Sequence, residues 1–297
     1  YKRQFVLGAC FALIGAFLSS TPPFQNAMAM DANRCGIPVV YGFCRGVGSV
    51  SYAAAVLLLG FVLERHAPTL LLPVFAALTA CGLIAMAGFR LPERPDEAAD
   101  RPAEHRSIAT VLRSHPRFAL TLLGCMFFFL THTISNTYMN ALVGKAGGTA
   151  SAVGTSLAIS AVLELPAMTL VSRLQKRFSP GFFLRFAAGA EVVKFLIFYL
   201  ARSMPLIYLG HCMQFFQFAV YAPATVYYVA AALPERDQLK GQSLIYVAGS
   251  GLGGALGNLL GGRLLDRSGI QAALLLGTVS AAASLLTFCL STREDSR

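Results

Sequence analysis

Apolar runs of about 20 residues recur along almost the whole chain, and no other feature constrains its fold so strongly. A helix of that length crosses the roughly 30 Å hydrocarbon core of a bilayer, and it satisfies its backbone hydrogen bonds within the segment. Charged residues make up only 13% of the chain, against roughly 25% in soluble domains. The sequence therefore predicts an all-α integral membrane protein.

Nine of these runs are long enough to be membrane spans. They cover residues 5–30, 46–63, 69–89, 118–143, 149–171, 182–201, 206–233, 241–262 and 269–290. The connectors are short apart from 90–117, whose mixture of Pro, Arg and acidic residues is too polar to pack and too short to form a domain. We therefore predict a helix bundle at 1–89, a solvated linker at 90–117 and a six-helix bundle at 118–297.

The net charge of +10 is distributed unevenly among the connectors. One alternating set, which includes the linker 90–117 and the tail 292–297, carries 15 Lys and Arg residues, whereas the opposite set carries seven. Positively charged connectors usually face the cytoplasm. The charge pattern therefore predicts a cytoplasmic linker and C-terminus in the inner membrane, and it gives no reason to expect a nucleic-acid partner.

Two segments that lie six spans apart end in similar sequences, "LLLGFVLERHA" and "LLGGRLLDRSG". Four positions match at a constant offset, among them Gly60 with Gly262 and Arg65 with Arg267. Repeated halves are common in transporters, and the second segment is the fifth of six spans after the linker. We therefore expect twelve helices in two six-helix halves, of which the nine spans are helices 4 to 12 and the first three are missing.

The stretch "GSGLGGALG" contains the spacing GxGxxG of dinucleotide-binding folds, but no strand is predicted before it. Gly249, Gly253, Gly257 and Gly261 instead recur every four residues. Small residues at that spacing let a neighbouring membrane helix approach closely. We interpret the glycines as a packing surface, and no spacing of Cys and His indicates a metal site.

Four stretches are similar to one transporter family: "SSTPPFQNAM", "YGFCRGVGSVSYAAAVLLLG", "AVLELP" and "GLGGALGNLLGGRLLDRSG". On these motifs the chain resembles the major facilitator superfamily, in particular the branch of sugar and nucleoside proton symporters that contains lactose permease. The resemblance covers most of the chain and is more specific for the branch than for the substrate. It implies the major facilitator fold, with the substrate bound at mid-membrane between two halves.

The resemblance also implies roles for three residues. In lactose permease a helix-eight glutamate and a helix-five arginine bind sugar hydroxyls, and a helix-five aromatic stacks on the sugar ring; by motif these correspond to Glu164, Arg45 and Tyr52. A guanidinium offers a planar fork of donors, and a carboxylate accepts two hydrogen bonds. The alternatives are a structural carboxyl at Glu164, bonded to a neighbouring helix, and a snorkelling arginine at Arg45.

Other positions depart from lactose permease. Asn26 replaces a helix-four glutamate and Tyr52 replaces a tryptophan, so a galactoside substrate is not implied. Gln214 and Gln217 stand where the permease has a helix-ten histidine and glutamate that are tied to proton movement, and neither glutamine can titrate. Lys194 keeps the helix-nine position cationic. We expect Asn26 to bind substrate, and the two glutamines to bind substrate or to bond neighbouring helices.

Further polar residues within the spans are candidates for proton movement. Glu191 and Lys194 are spaced i, i+3 and can meet on one helix face, either as a structural ion pair or within a proton relay. His132 could carry a proton or be a buried, hydrogen-bonded histidine, and Asn136 could bind sugar or bond a neighbouring helix. Glu164 is the preferred coupling carboxylate, because the helix-ten glutamines cannot ionise.

These observations predict a secondary active transporter that moves a small polar solute, such as a sugar or nucleoside, by alternating access with proton coupling. The runner-up is an efflux carrier of the same fold for sugars or drugs, whose cavity would be more apolar. A membrane-embedded enzyme would need catalytic acids, histidines or metal ligands clustered at one depth, which the spans do not offer. A non-functional fragment is a further alternative. We expect a monomer without cofactor, metal or catalytic residue.

Overall fold

The computed structural model describes residues 2–63, 68–88 and 107–292, and these contain helices, turns and loops but no strand. The helices are α1 (Lys2–Arg34), α2 (Tyr41–Leu63), α3 (Leu71–Ala87), α4 (Ile108–Ser114), α5 (Pro116–Thr137), α6 (Met139–Lys145), α7 (Ala150–Leu174), α8 (Pro180–Leu200), α9 (Met204–Cys212), α10 (Phe218–Ala232), α11 (Glu235–Tyr246), α12 (Gly254–Ser268) and α13 (Ile270–Ser291). The predicted all-α class is confirmed for this part of the chain.

Five segments in the described ranges are long and apolar enough to cross a membrane. They are Pro116–Thr137, Ala152–Leu174, Met204–Ala232, Glu235–Ser268 and Ile270–Ser291. Leu72–Ala87 is apolar but shorter, and α8, at 21 residues, carries Arg185, Glu191 and Lys194 along its length. The count of nine spans and their numbering as helices 4 to 12 stay predictions.

Two of the long segments are interrupted near their middle. Between α9 and α10, Met213–Phe215 form a 3-10 turn, and Gln217 has φ −99° and ψ −94°, which is not a helical conformation. Between α11 and α12, Val247–Gly253 form a π-helix. Irregular backbone at membrane depth is tolerated where protein or a cavity surrounds it, and π-helical turns are frequent at functional sites.

The glycine series predicted at 249–261 packs against α5. A Cβ atom on Gly253 would overlap the backbone carbonyl of Met126, and one on Gly257 would overlap that of Leu130. Aromatic rings cover the other two glycines of the series in the same way. The interpretation as a packing surface is confirmed, because larger side chains would force the helices apart.

α1 and α2 pack against the C-terminal part of the chain, among other places at α7 and α11. α2 crosses α7, where Gly42 and Gly46 permit close approach of the two backbones. α1 lies against α11, where the Arg34 guanidinium pairs with Glu235 at 3.1 Å and donates to Gln238 Oε1 at 2.6 Å. Both contacts join residues that precede the predicted linker to residues that follow it.

The last part of the predicted linker is helical and packed. α4 presents Val111 to the main apolar core, where this side chain is fully buried together with Phe118. Residues 89–106 lie outside the described residues, as does Arg65 of the predicted repeat. The division into 1–89, 90–117 and 118–297 therefore stays a prediction, although its linker contains an ordered helix.

Candidate functional site

A cavity of about 330 Å³ lies between α1 and α2 on one side and α5, α10 and α11 on the other. Its lining residues are Pro22, Gln25, Asn26, Tyr41, Arg45, Phe129, Phe218, Tyr221, Ala222, Thr225, Ile245, Tyr246 and Ser250. Small-molecule sites are typically spaces of about 300–1,000 Å³ with apolar and aromatic walls and a few placed polar groups. The wall of this cavity matches the description, because it contains five aromatic rings, two side-chain amides, several hydroxyls and one guanidinium.

Arg45 carries the positive charge at the cavity wall. It stands one helical turn after Tyr41 on α2, and it is close enough to Tyr41 and Tyr246 to interact with them electrostatically. Its guanidinium forms no ion pair or hydrogen bond with the described residues. A guanidinium presents five N–H donors in a fixed plane, so the fork of Arg45 is available to an incoming solute.

Asn26 belongs to a hydrogen-bond network in the cavity wall. The Tyr41 hydroxyl donates to Asn26 Oδ1 at 2.7 Å, and Asn26 Nδ2 donates to Gln242 Oε1 at 3.4 Å. Gln242 Nε2 in turn donates to the Val226 carbonyl oxygen at 3.3 Å. The network joins α1, α2, α10 and α11, so the amide of Asn26 lines the cavity and also connects the two parts of the chain.

Glu164 lies in a second polar cluster, buried between α2, α7, α8 and the interrupted span. Ser49 Oγ donates to Glu164 Oε2, and Gln214 Nε2 donates to Glu164 Oε1 at 3.0 Å. The Lys194 amine donates to Gln214 Oε1 at 3.0 Å and to Gln217 Oε1 at 3.5 Å. The structure thus brings together Glu164, Lys194 and both glutamines, four of the residues that the sequence singled out.

Glu191 does not form the predicted ion pair with Lys194. Its carboxylate is fully buried, and neither oxygen has a hydrogen-bond partner among the described residues. The two side chains are three residues apart on α8, but the Lys194 amine is directed to the amide oxygens of Gln214 and Gln217 instead. Glu191 is therefore a buried titratable group that the polar cluster leaves without a bond.

His132 and Asn136 contact each other on α5. Asn136 Nδ2 lies 3.0 Å from His132 Nε2 and donates to the His132 carbonyl oxygen at 2.9 Å. The His132 ring stacks on Phe218 at 4.4 Å between centroids, and Phe218 lines the cavity. His132 is thus separated from the cavity by an aromatic ring, and Asn136 is exposed and outside the lining.

Tyr52 is not among the cavity-lining residues. It follows Arg45 and Ser49 along α2, and its side chain is 65% exposed. The stacking role implied by the resemblance therefore stays a prediction.

A family model settles the classification. The model described as the MFS_1 like family matches residues 2–276. The chain belongs to this MFS_1-like family. It is a membrane transporter of the major facilitator superfamily and not an enzyme, as the sequence predicted.

Individual relatives of this MFS_1-like protein are transporters as well. It is 28% identical over 286 residues to the maltose permease of Geobacillus stearothermophilus, covering 95% of this chain and 71% of the permease. It is 23% identical over 293 residues to the uncharacterized transporter YwbF of Bacillus subtilis, covering 98% of this chain and 71% of YwbF.

Two solved structures share the fold of the MFS_1-like chain. FucP in the outward conformation aligns with a TM-score of 0.61 at 18% identity, over 93% of this chain and 69% of that one. A variant of the E. coli fucose:proton symporter FucP aligns with a TM-score of 0.64 at 16% identity, over 95% of this chain and 74% of the FucP chain.

Several residues of the site escaped the sequence analysis, among them Tyr41, Ser49, Gln242 and Tyr246. A signal for them is present in the spacing. Tyr41, Arg45 and Ser49 recur every four residues on α2, and Gln242 and Tyr246 do so on α11. Residues four apart lie on one face of a helix, so polar residues at that spacing in apolar helices indicate a face directed at a cavity or a polar partner.

Proposed function

We propose that the protein transports a sugar or a similar small polar solute by alternating access, with proton coupling. The observation that carries the proposal is the unpaired guanidinium of Arg45 in an aromatic-walled cavity, one helical turn from the buried cluster of Glu164. Relatives named as a maltose permease and a fucose:proton symporter support a sugar as the solute and a proton as the coupling ion.

The proposed coupling passes along α2. A solute bound to Arg45 acts on the same helix face as Ser49, whose hydroxyl donates to Glu164. When Glu164 takes up a proton, the carboxyl gains an O–H donor and loses its charge. Protonation then changes the hydrogen bonds that Glu164 accepts from Ser49 and Gln214, and through Gln214 the bond from Lys194. Solute binding and proton binding can therefore bias the same conformational equilibrium.

The alternative of a drug efflux carrier is less well supported, because such a cavity is expected to be more apolar. The observed wall contains a guanidinium, the amides of Gln25 and Asn26, and several hydroxyl groups. These groups match a solute with many hydroxyls. Uptake and efflux of such a solute share one mechanism, so the direction of transport is an outcome of the transport assay.

Uptake into vesicles that contain the complete protein tests the proposal. Radiolabelled monosaccharides, disaccharides, sugar acids and nucleosides are offered with and without an inwardly directed proton gradient. We expect at least one of these solutes to accumulate only with the gradient, and a protonophore to abolish the accumulation. Vesicles that lack the protein serve as the control. If no solute of the panel exchanges or accumulates in either direction, the proposal is wrong.

The proposed orientation places the linker, the C-terminus and Cys35 on the cytoplasmic side. Cys35 follows α1 and is partly exposed. In a variant that retains this cysteine alone, a membrane-impermeant thiol reagent should label Cys35 in inverted vesicles and leave it unlabelled in intact cells. Labelling in intact cells would reverse the orientation.

A further inference from the structure

Resting on the proposed function, we infer that the preferred solute is an acid: a small polyhydroxylated molecule with one carboxylate, such as a sugar acid, rather than a neutral sugar. The inference comes from the charges at the cavity wall. Arg45 is the one residue with an ionised side chain among the lining residues in the described part of the chain. Since charges interact more strongly in a cavity with apolar walls than in water, the guanidinium favours an anionic occupant.

The carboxylate that could have neutralised Arg45 is held elsewhere. Glu164 accepts hydrogen bonds from Ser49 and from Gln214, and Gln214 also accepts a hydrogen bond from the Lys194 amine. Glu164 does not line the cavity, and no ion pair joins it to Arg45. The Lys194 amine thus reaches Glu164 through Gln214, whereas the guanidinium of Arg45 forms no ion pair with a described residue.

The remaining wall matches the rest of such a molecule. Phe218 and Tyr246 offer apolar ring surface to the C–H groups of a sugar, and Gln25 and Ser250 offer polar groups for its hydroxyls. A carboxylate can accept two parallel hydrogen bonds from one guanidinium. A phosphate ester carries about −1.5 to −2 charges near neutral pH, so one guanidinium balances a carboxylate more completely than it balances a phosphate.

Matched ligand pairs test the inference on the purified complete protein. Binding of glucose is compared with glucuronate, maltose with maltobionate, and both with glucose 6-phosphate. We expect each sugar acid to bind at least about tenfold more tightly than its neutral counterpart, because charge-assisted hydrogen bonds are roughly twice as strong as neutral ones. Arg45→Gln keeps an amide donor but removes the charge, so the preference should disappear in this variant.

Two further variants separate charge from folding. Arg45→Lys keeps the charge without the fork and should retain part of the preference for the acid. Arg202→Gln removes a positive charge from an exposed position after α8, and this variant should retain the full preference for the acid. Thermal unfolding of each unliganded variant verifies that it is folded.

Each outcome bears on the inference. A preference for acids that depends on Arg45 supports it. Equal or tighter binding of the neutral sugars overturns the inference and leaves the proposed sugar transport standing. A preference for acids that survives in Arg45→Gln has the same consequence. Tighter binding of the phosphate ester overturns the assignment of a carboxylate. If the protein binds no saccharide, acid or neutral, the inference fails, and the nucleosides of the uptake panel decide whether the proposed function fails with it.

Discussion

The two polar regions that meet on α2 differ in how their charges are satisfied. Arg45 faces the cavity without a bonded partner, whereas Glu164 is only 9% exposed and is bonded to Ser49 and Gln214. A free charge in a cavity is available to a ligand, whereas a buried and bonded charge is costly to disturb. The difference leads us to assign solute binding to Arg45 and coupling to the cluster of Glu164.

Glu164→Gln should have the largest effect. Glutamine preserves the shape and the ability to hydrogen-bond but cannot ionise. We expect accumulation driven by a pH gradient to be lost, so that the internal solute concentration rises only to the external one, while solute binding remains measurable. Gradient-driven uptake and equilibrium binding are measured on the same vesicles.

Glu191→Gln is the matched control for that experiment. This variant makes the same change in Glu191, a second buried carboxyl, which lies on α8 and forms no hydrogen bond with the described residues. We expect Glu191→Gln to retain gradient-driven accumulation. If Glu191→Gln loses accumulation and Glu164→Gln retains it, the coupling carboxyl is Glu191, and the assignment from the bonded cluster is wrong.

Arg45→Lys should have the next largest effect. Lysine keeps the charge but loses the planar fork that can bind a solute at two points. We expect the initial uptake rate at low solute concentration to fall roughly tenfold or more, because hydrogen bonds to charged groups contribute about 1.5–3 kcal/mol. Uptake is normalised to the amount of protein in the membrane. An unchanged rate would reduce Arg45 to a determinant of membrane topology.

Ser49→Ala should have a smaller effect that connects the two regions. The substitution removes the hydroxyl that donates to Glu164, and losing one hydrogen bond costs about 1 kcal/mol, or about fivefold in an equilibrium constant. We expect the pH dependence of uptake to shift while solute affinity changes little. Ser51→Ala removes an exposed hydroxyl two residues away on α2 and is the control. Equal effects of both substitutions would argue against coupling through Ser49.

The sequence predicted the helical membrane class and the transporter family, because span length and apolar composition follow directly from bilayer thickness. It also singled out Glu164, Lys194, Gln214 and Gln217, whose side chains the structure brings together. It did not predict which residues bond to which. The i, i+3 spacing favoured an ion pair for Lys194 with Glu191, but the amine contacts amide oxygens of the interrupted span.

That outcome has a physical reason. Spacing along one helix indicates which side chains can meet, whereas the 3-10 turn at Met213–Phe215 and the non-helical Gln217 reposition polar groups on a neighbouring segment. Local pattern does not report such interruptions, because they depend on tertiary surroundings. The bond from Asn26 to Gln242 escaped for a related reason, since it joins helices that are distant in sequence.

The smallest effects concern the two tyrosines of α2, and they compare the part of the helix at the cavity with the part beyond it. Tyr41→Phe removes the hydroxyl that donates to Asn26 at 2.7 Å, so we expect a loss of a few fold in solute affinity, in keeping with about 1 kcal/mol for one hydrogen bond. Tyr52 is 65% exposed and lies outside the lining, so Tyr52→Phe should change affinity less than about twofold, as surface substitutions usually stay within about 0.5 kcal/mol.

Tyr52→Ala extends the comparison, because it also removes the ring that the family resemblance would stack on a sugar. A fall in affinity for Tyr52→Ala with none for Tyr52→Phe would show that the ring contacts the solute in some state of the transport cycle. In that case the binding site would extend along α2 beyond Ser49, past the end of the cavity.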